Sequence, residues 1–207
     1  MIKDLKRHYQ HLFDKFGDSV ESVQHINRQS QYKRFEILLA IDKNAKSIID
    51  VGCGLGDMYQ YLLDNQYSGQ YLGLDFLDEF TLLSRQKYAD YSQASFQCID
   101  VGSANVPCGY DYALLSGVFN NKMENNKQFM FETISKMFAS ANKGIAFNAM
   151  STYVDYQDKA LYYSDPLEVF DFCKKNLSRK VTLKHDYTVK SGSIPFEYTI
   201  YLYKEDM

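Results

Sequence analysis

The sequence predicts an α/β fold: a seven-stranded, mostly parallel sheet with helices on both faces, an antiparallel terminal hairpin and an N-terminal helical cap. Three observations predict it. From residue 46 onward, short β-branched or apolar runs alternate with segments of helical period. The connections between them are short, as in a sheet covered on both faces. The last two strand-like runs flank a turn-rich stretch with no room for a crossover helix, so they pair antiparallel.

The elements follow in order. Leu5, Tyr9, Leu12, Phe13 and Phe16 stand at helical spacing, so residues 3–16 form an amphipathic helix that Gly17 stops. Residues 17–30 are polar and read as a loop. Tyr32, Phe35, Leu38 and Leu39 mark a second helix reaching Ile41. Ser47 to Val51 is the first strand and ends at a glycine cluster. A helix from Met58 to Leu63, a strand from Gln70 to Asp75 and a helix from Leu77 to Tyr91 come next. Ser95 to Ile99 and Tyr112 to Ser116 are the third and fourth strands; a helix from Phe129 to Phe138 leads to a fifth, Gly144 to Asn148. Asp165-Pro166 starts the last helix. Lys180 to Tyr187 and Phe196 to Tyr203 are the hairpin strands, separated by Lys190-Ser-Gly-Ser193. Residues 1–45 read as the cap and residues 46–207 as the core domain, without a linker.

Composition narrows the function. A chain of 207 residues with 45% hydrophobic and 15% aromatic residues can bury one sizeable core. The net charge of −3 and the absence of a basic extension argue against a nucleic-acid partner. Cys53, Cys98, Cys108 and Cys173 are scattered, with no metal-ligand spacing, so no metal is expected and a reducing cytoplasm fits. The N-terminus does not read as a signal peptide, and no apolar run approaches the roughly 20 residues needed to cross a bilayer.

The chemistry concentrates at strand ends. Asp50-Val-Gly-Cys-Gly-Leu-Gly56 places glycines where a strand turns into a helix, letting the backbone take positive φ and approach a ligand closely. Alone, this pattern is also that of a tight strand-to-helix turn. Three further strand ends add to it. Asp75 can accept both hydroxyls of a ribose, Asp100 an exocyclic amine of a purine, and Ser116-Gly117 closes the fourth strand at the same edge.

With these residues in view, the chain resembles the class I S-adenosylmethionine-dependent methyltransferases, which have a Rossmann-like sheet. The matching segments are Asp50 to Asp57, Gly73-Leu-Asp75, Cys98-Ile-Asp100 and Asp111 to Gly117, within an element order running over about residues 46–203. The resemblance implies S-adenosylmethionine as cofactor and S-adenosylhomocysteine as product. It implies that Gly52, Cys53, Gly54 and Gly56 line the methionine end and that Asp75 and Phe76 meet the ribose and adenine edge. Asp100 and Val101 then meet the adenine, and Ser116 the amino-acid end. Cys53 reads as a small spacer. A nicotinamide-dependent dehydrogenase is the rival reading, but its fingerprint needs glycine at position 57, where this chain has Asp.

Arg34, in the helix before the core, either pairs bidentately with the cofactor carboxylate or is an exposed helix-surface residue. The methyl acceptor is expected to be a small molecule presenting O or N. Residues 150–165 follow the fifth strand and crowd Tyr153, Asp155, Tyr162 and Tyr163, which either line an acceptor pocket or pack the loop. Cap histidines His8, His11 and His25 are alternative bases, and His185 is remote. The second functional class is a non-catalytic cofactor-binding subunit that supports a partner protein. A monomer and a homodimer fit equally.

Overall fold

The computed structural model describes residues 2–205, with side chains from residue 4 onward; the two ends of the cap-and-core division, residues 1 and 206–207, lie outside them. Five strands run parallel: β1 (Ser47–Val51), β2 (Gln70–Asp75), β3 (Ala94–Cys98), β4 (Tyr112–Leu115) and β5 (Gly144–Met150). β6 (Lys180–Lys184) and β7 (Glu197–Tyr203) form the antiparallel hairpin, with β7 inserted against β5. The sheet order is β3-β2-β1-β4-β5-β7-β6. The order reverses beside β1, so a crevice opens at the carboxyl ends of β1 and β4.

Among the described residues, six α-helices flank it: α1 (Ile2–Phe16), α2 (Arg28–Leu39), α3 (Asp57–Asp64), α4 (Asp78–Lys87), α5 (Asn126–Ser140) and α6 (Pro166–Asn176). Alternation along β1 shows why both faces need cover. Ile48 joins a cluster with Phe35 and Leu38 of α2 and Met58 and Tyr59 of α3, whereas Ile49 joins one with Ile134 of α5 and Val169 of α6. The abundant tyrosines fill the first of these faces. Tyr59 packs on Tyr71 and Tyr88 at ring distances of 4.9 and 5.0 Å, and Tyr88 stacks on Phe96 at 5.6 Å.

Several boundaries depart from the sequence expectation; the first hairpin strand, for one, ends at Lys184, short of Tyr187. The segment read as a polar loop holds a 3-10 turn at Val20–Val23, and α2 begins earlier, at Arg28. Asn27 caps it, its side chain accepting Ser30 N at 2.8 Å, so the polar residues 28–30 are a first helical turn. α4 stops at Lys87, short of Tyr91.

α1 docks through a small cluster in which Tyr9 and Phe13 meet Phe80 edge-on at 6.2 and 5.5 Å. α2 is built into the core: Tyr201 Oη of β7 donates to the Ile37 carbonyl at 2.7 Å. Both helices therefore roof the crevice. Among the described residues, no helix is long and apolar enough to cross a membrane.

Candidate cofactor and active site

The turn after β1 is held by backbone geometry. Gly52 and Cys53 N–H both donate to the Leu74 carbonyl, at 2.7 and 2.9 Å, which folds the loop back over β2. Gly52 takes φ +77°, and a Cβ there would overlap Val118; at Gly54, φ +52°, a Cβ would come within 2.7 Å of Val23. Both positions need glycine for conformation and for space.

A cavity of about 410 Å³ lies at this edge of the sheet. Its wall includes Asp50, Gly52, Cys53, Gly54, Asp75, Phe76, Asp100, Val101, Ser116 and Gly117. Ten strand-end positions singled out in the sequence thus converge on one space. Gly56 is the exception. It lies outside the wall with φ +76°, and a Cβ there would press on Tyr88 and Phe96, so it shapes the start of α3 from behind.

Asp75 organises the floor. Its Oδ2 accepts Gly54 N at 2.9 Å and its Oδ1 accepts Leu77 N at 3.0 Å, tying the glycine turn to the start of α4. A carboxylate offers about four lone-pair positions, so about two are left for a ligand. Burial pushes its pKa up to about 6, against the pull of these N–H donors. Asp50, buried at the end of β1, accepts the Tyr71 hydroxyl at 2.7 Å; burial drives it to about 7. Asp100 Oδ1 accepts Gly102 N at 2.9 Å. Burial also pushes the Cys53 thiol up, which suits a spacer and not a thiolate nucleophile.

The wall joins these residues to others that the sequence alone did not single out, among them Gln31, Lys190 and Glu197. Five carboxylates line it (Asp50, Asp57, Asp75, Asp100 and Glu197) against the cations Arg34 and Lys190. Gln31 of α2 donates to Asp57 Oδ2 at 3.0 Å. Tyr9 of α1 accepts from Asn121 Nδ2 at 2.8 Å. Of the cap histidines, His25 lines the cavity; burial, and then the Arg34 guanidinium, hold its imidazole down to about 3. His8 instead faces Gln24, whose Nε2 lies 2.9 Å from its ring. Nothing in the spacing of Glu197 or Gln31 pointed here, because both reach the cavity only through tertiary packing.

Two groups of expected site residues have local partners of their own. Arg34 reaches the cavity, but the edge expected to grip a cofactor carboxylate holds Glu197: its Nε lies 3.0 and 2.9 Å from Glu197 Oε1 and Oε2, and its NH2 pairs with Oε1. Tyr153, Asp155, Tyr162 and Tyr163 lie outside the cavity wall, and Tyr153 is 56% exposed. The reason is local pairing. Asn121 bridges Leu161 antiparallel, and Tyr162 N donates to the Asn120 carbonyl at 2.9 Å. In this strand-like pairing successive side chains alternate, so Leu161 faces the cavity and Tyr162 turns away from it to pack, half-buried, against the α5–α6 core beside Lys127 and Phe131. From this segment, Met150 and Leu161 line the cavity.

Comparison with known proteins identifies the framework. Residues 49–142 match the methyltransferase-domain family model. The putative methyltransferase Rv1506c of Mycobacterium tuberculosis is 30% identical over 164 residues, covering 76% of this chain and 93% of that protein. The chain belongs to the methyltransferase family. The fold of this methyltransferase recurs in solved structures of low sequence identity. Magnesium protoporphyrin IX methyltransferase from Synechocystis PCC 6803 aligns with a TM-score of 0.66 at 13% identity, covering 96% of this chain and 91% of that one. The N-methyltransferase NodS from Bradyrhizobium japonicum WM9 gives 0.65 at 14%, covering 94% and 96%.

The residues of the cavity fit the family's cofactor. Ser116 Oγ, Gln31 Oε1 and Asn120 Oδ1 are buried in the wall without a hydrogen-bond partner among the described residues, so they stand ready for a ligand's donors. The excess of carboxylates favours a cationic one. Among the described residues, no group of three or more His, Cys, Asp or Glu is placed to hold a metal ion.

Proposed function

We propose that this methyltransferase uses S-adenosylmethionine to methylate an oxygen or nitrogen atom of a small-molecule acceptor. The observation that carries this reading is a single cavity at the strand ends that combines the glycine turn, five carboxylates and unpartnered Ser116 Oγ. When bound, the cofactor supplies an electrophilic methyl group on a sulfonium.

The chain's residues do the rest. Gly52 and Gly54 let the backbone approach the methionine end, and Ser116 Oγ accepts a donor there. Asp75 accepts ribose hydroxyls with its remaining lone pairs, with Phe76 packing at its side. Asp100 accepts the adenine amine, and Val101 packs against the ring. Asp50 and Asp57 set a negative potential that favours a cationic ligand. α1 and α2 exclude water, so the attacking atom meets the methyl group without a hydration shell.

The acceptor end is formed by Met123, Phe129, Met150, Leu161 and Phe196, with His25 and Asn120 as its polar groups. Arg34 is neutralised by Glu197. This lining suits an uncharged, partly apolar molecule with one proton-bearing heteroatom. Burial and the Arg34 guanidinium hold His25 at about 3, too weak a base to keep a proton near neutral pH, so it accepts a hydrogen bond that orients a hydroxyl acceptor whose proton is lost to solvent; an amine acceptor needs only desolvation. The test is transfer of tritium from methyl-labelled S-adenosylmethionine into fractionated metabolite extracts. Label in a small neutral product supports the reading. Label confined to protein or nucleic acid contradicts it. Cofactor binding without transfer favours a non-catalytic binding subunit.

A further inference from the structure

The first residue of β7 carries the most enclosed carboxylate in the cavity wall, Glu197, at 1% exposure. Each of its neighbours belongs to a different segment. Arg34 of α2 meets it through Nε and NH2. Asn148 of β5 donates to its Oε2 through Nδ2 at 3.1 Å. Asn148 is engaged at both ends, because its Oδ1 accepts the Gly117 N–H at 2.8 Å. Arg34 also donates from NH1 to the Ser30 carbonyl at 3.2 Å, and Gln31 beside Ser30 holds Asp57.

A chain of direct hydrogen bonds therefore runs from the roof helix α2 through Glu197 and Asn148 to the turn after β4. That turn, Gly117 at φ +75°, presents Ser116 to the cavity. Stability is a poor account of an acid in this place. Burying an ion pair costs desolvation that apolar packing would avoid, and what such pairs supply in the best-attested cases is register.

We propose that Glu197 is a positioning residue: through Arg34 and Asn148 it sets α2 and the Ser116-Gly117 turn in one register, and so shapes the methionine end of the cofactor site. The proposal rests on the methyltransferase reading. With an amide in its place, Arg34 loses its counter-charge, one acceptor oxygen is left for the donors of Arg34 and Asn148, and the two walls are no longer held together.

The experiment compares the full-length wild type with Glu197→Gln, which keeps the side-chain size and removes the charge. S-adenosylhomocysteine affinity is measured by equilibrium dialysis well below both melting temperatures, alongside amide hydrogen exchange. The expected result is a Kd raised roughly tenfold or more. Faster exchange is expected in residues 30–38 and at Gly117, with the rest of the sheet unchanged. Arg34→Lys keeps the positive charge but loses the forked geometry. It carries the same expectation, and it serves as the test if Glu197→Gln does not fold. A lower melting temperature with unchanged affinity and exchange would mean a purely structural role and overturn the proposal. A wild-type chain that does not bind S-adenosylhomocysteine overturns the cofactor reading and this proposal with it. A binding wild type with equally tight variants overturns the proposal alone.

Discussion

Gln31 Nε2 donates to Asp57 Oδ2 at 3.0 Å, joining two buried side chains from helices on opposite sides of the glycine turn. This contact fastens α2 to the start of α3, while Gln31 Oε1 stays unpartnered in the cavity wall. Gln31→Met keeps the length of the side chain and removes both polar atoms. It should cost about 1–3 kcal/mol, the usual range for a buried acceptor that loses its donor. The start of α3 offers Asp57 some compensation, so the lower half of that range is expected. Urea unfolding of the two proteins measures it.

Asp50 gives a pH dependence with a definite sign. Burial raises its pKa to about 7 from an ordinary value of 3.8. Between these values the folded chain holds a proton that the unfolded chain has released, so the contribution of Asp50 to stability is lost as pH rises through about 7. Asp50→Asn should therefore be more stable than wild type at pH 8, by on the order of 1–3 kcal/mol, and equal to it near pH 4. Melting temperatures across pH check this. The same substitution should weaken cofactor binding, since a cationic ligand favours the ionised acid.

His25 has the opposite sign. Its pKa is held down to about 3, so below about 6.5 the unfolded chain binds a proton that the folded chain refuses, and stability falls as pH drops. His25→Phe should flatten that acid limb in a melting series. With a hydroxyl acceptor it should also raise the acceptor KM by roughly fivefold through the lost hydrogen bond, leaving S-adenosylhomocysteine affinity intact.

Tyr153 provides the contrasting case. It lies outside the cavity, 56% exposed, with its ring 6.0 Å from that of His185. Tyr153→Ala should change S-adenosylhomocysteine affinity by no more than roughly twofold. A larger loss, read by fluorescence titration, would place Tyr153 itself in the site.

Periodicity and glycine placement made the sheet legible from the sequence. Ser47 to Val51 and Gln70 to Asp75 coincide with β1 and β2, because buried parallel strands are short apolar runs bounded by sharp turns. The convergence of Gly52, Asp75, Asp100 and Ser116 on one cavity was legible for the same reason, since strand ends share one edge by topology. The opposite wall of that cavity was not. Leu161 and Tyr162 are neighbours in sequence and face opposite ways because of one bridge to Asn121, which leaves no trace in composition. Glu197 opens a strand 163 residues from Arg34, and nothing local announces that pairing. Gly56 belongs to the glycine motif yet makes room for the rings of Tyr88 and Phe96 behind the turn, a packing role that the motif does not announce.

Calorimetric titration of the full-length protein with S-adenosylhomocysteine, alongside Asp75→Asn, tests the central claim most directly. The cavity at the strand ends predicts one site per chain for wild type, with affinity weakened roughly tenfold or more in the variant, which loses the charged acceptor for two ribose hydroxyls. Absence of binding heat and of any thermal shift at millimolar ligand would contradict it, as would a variant that binds as tightly as wild type.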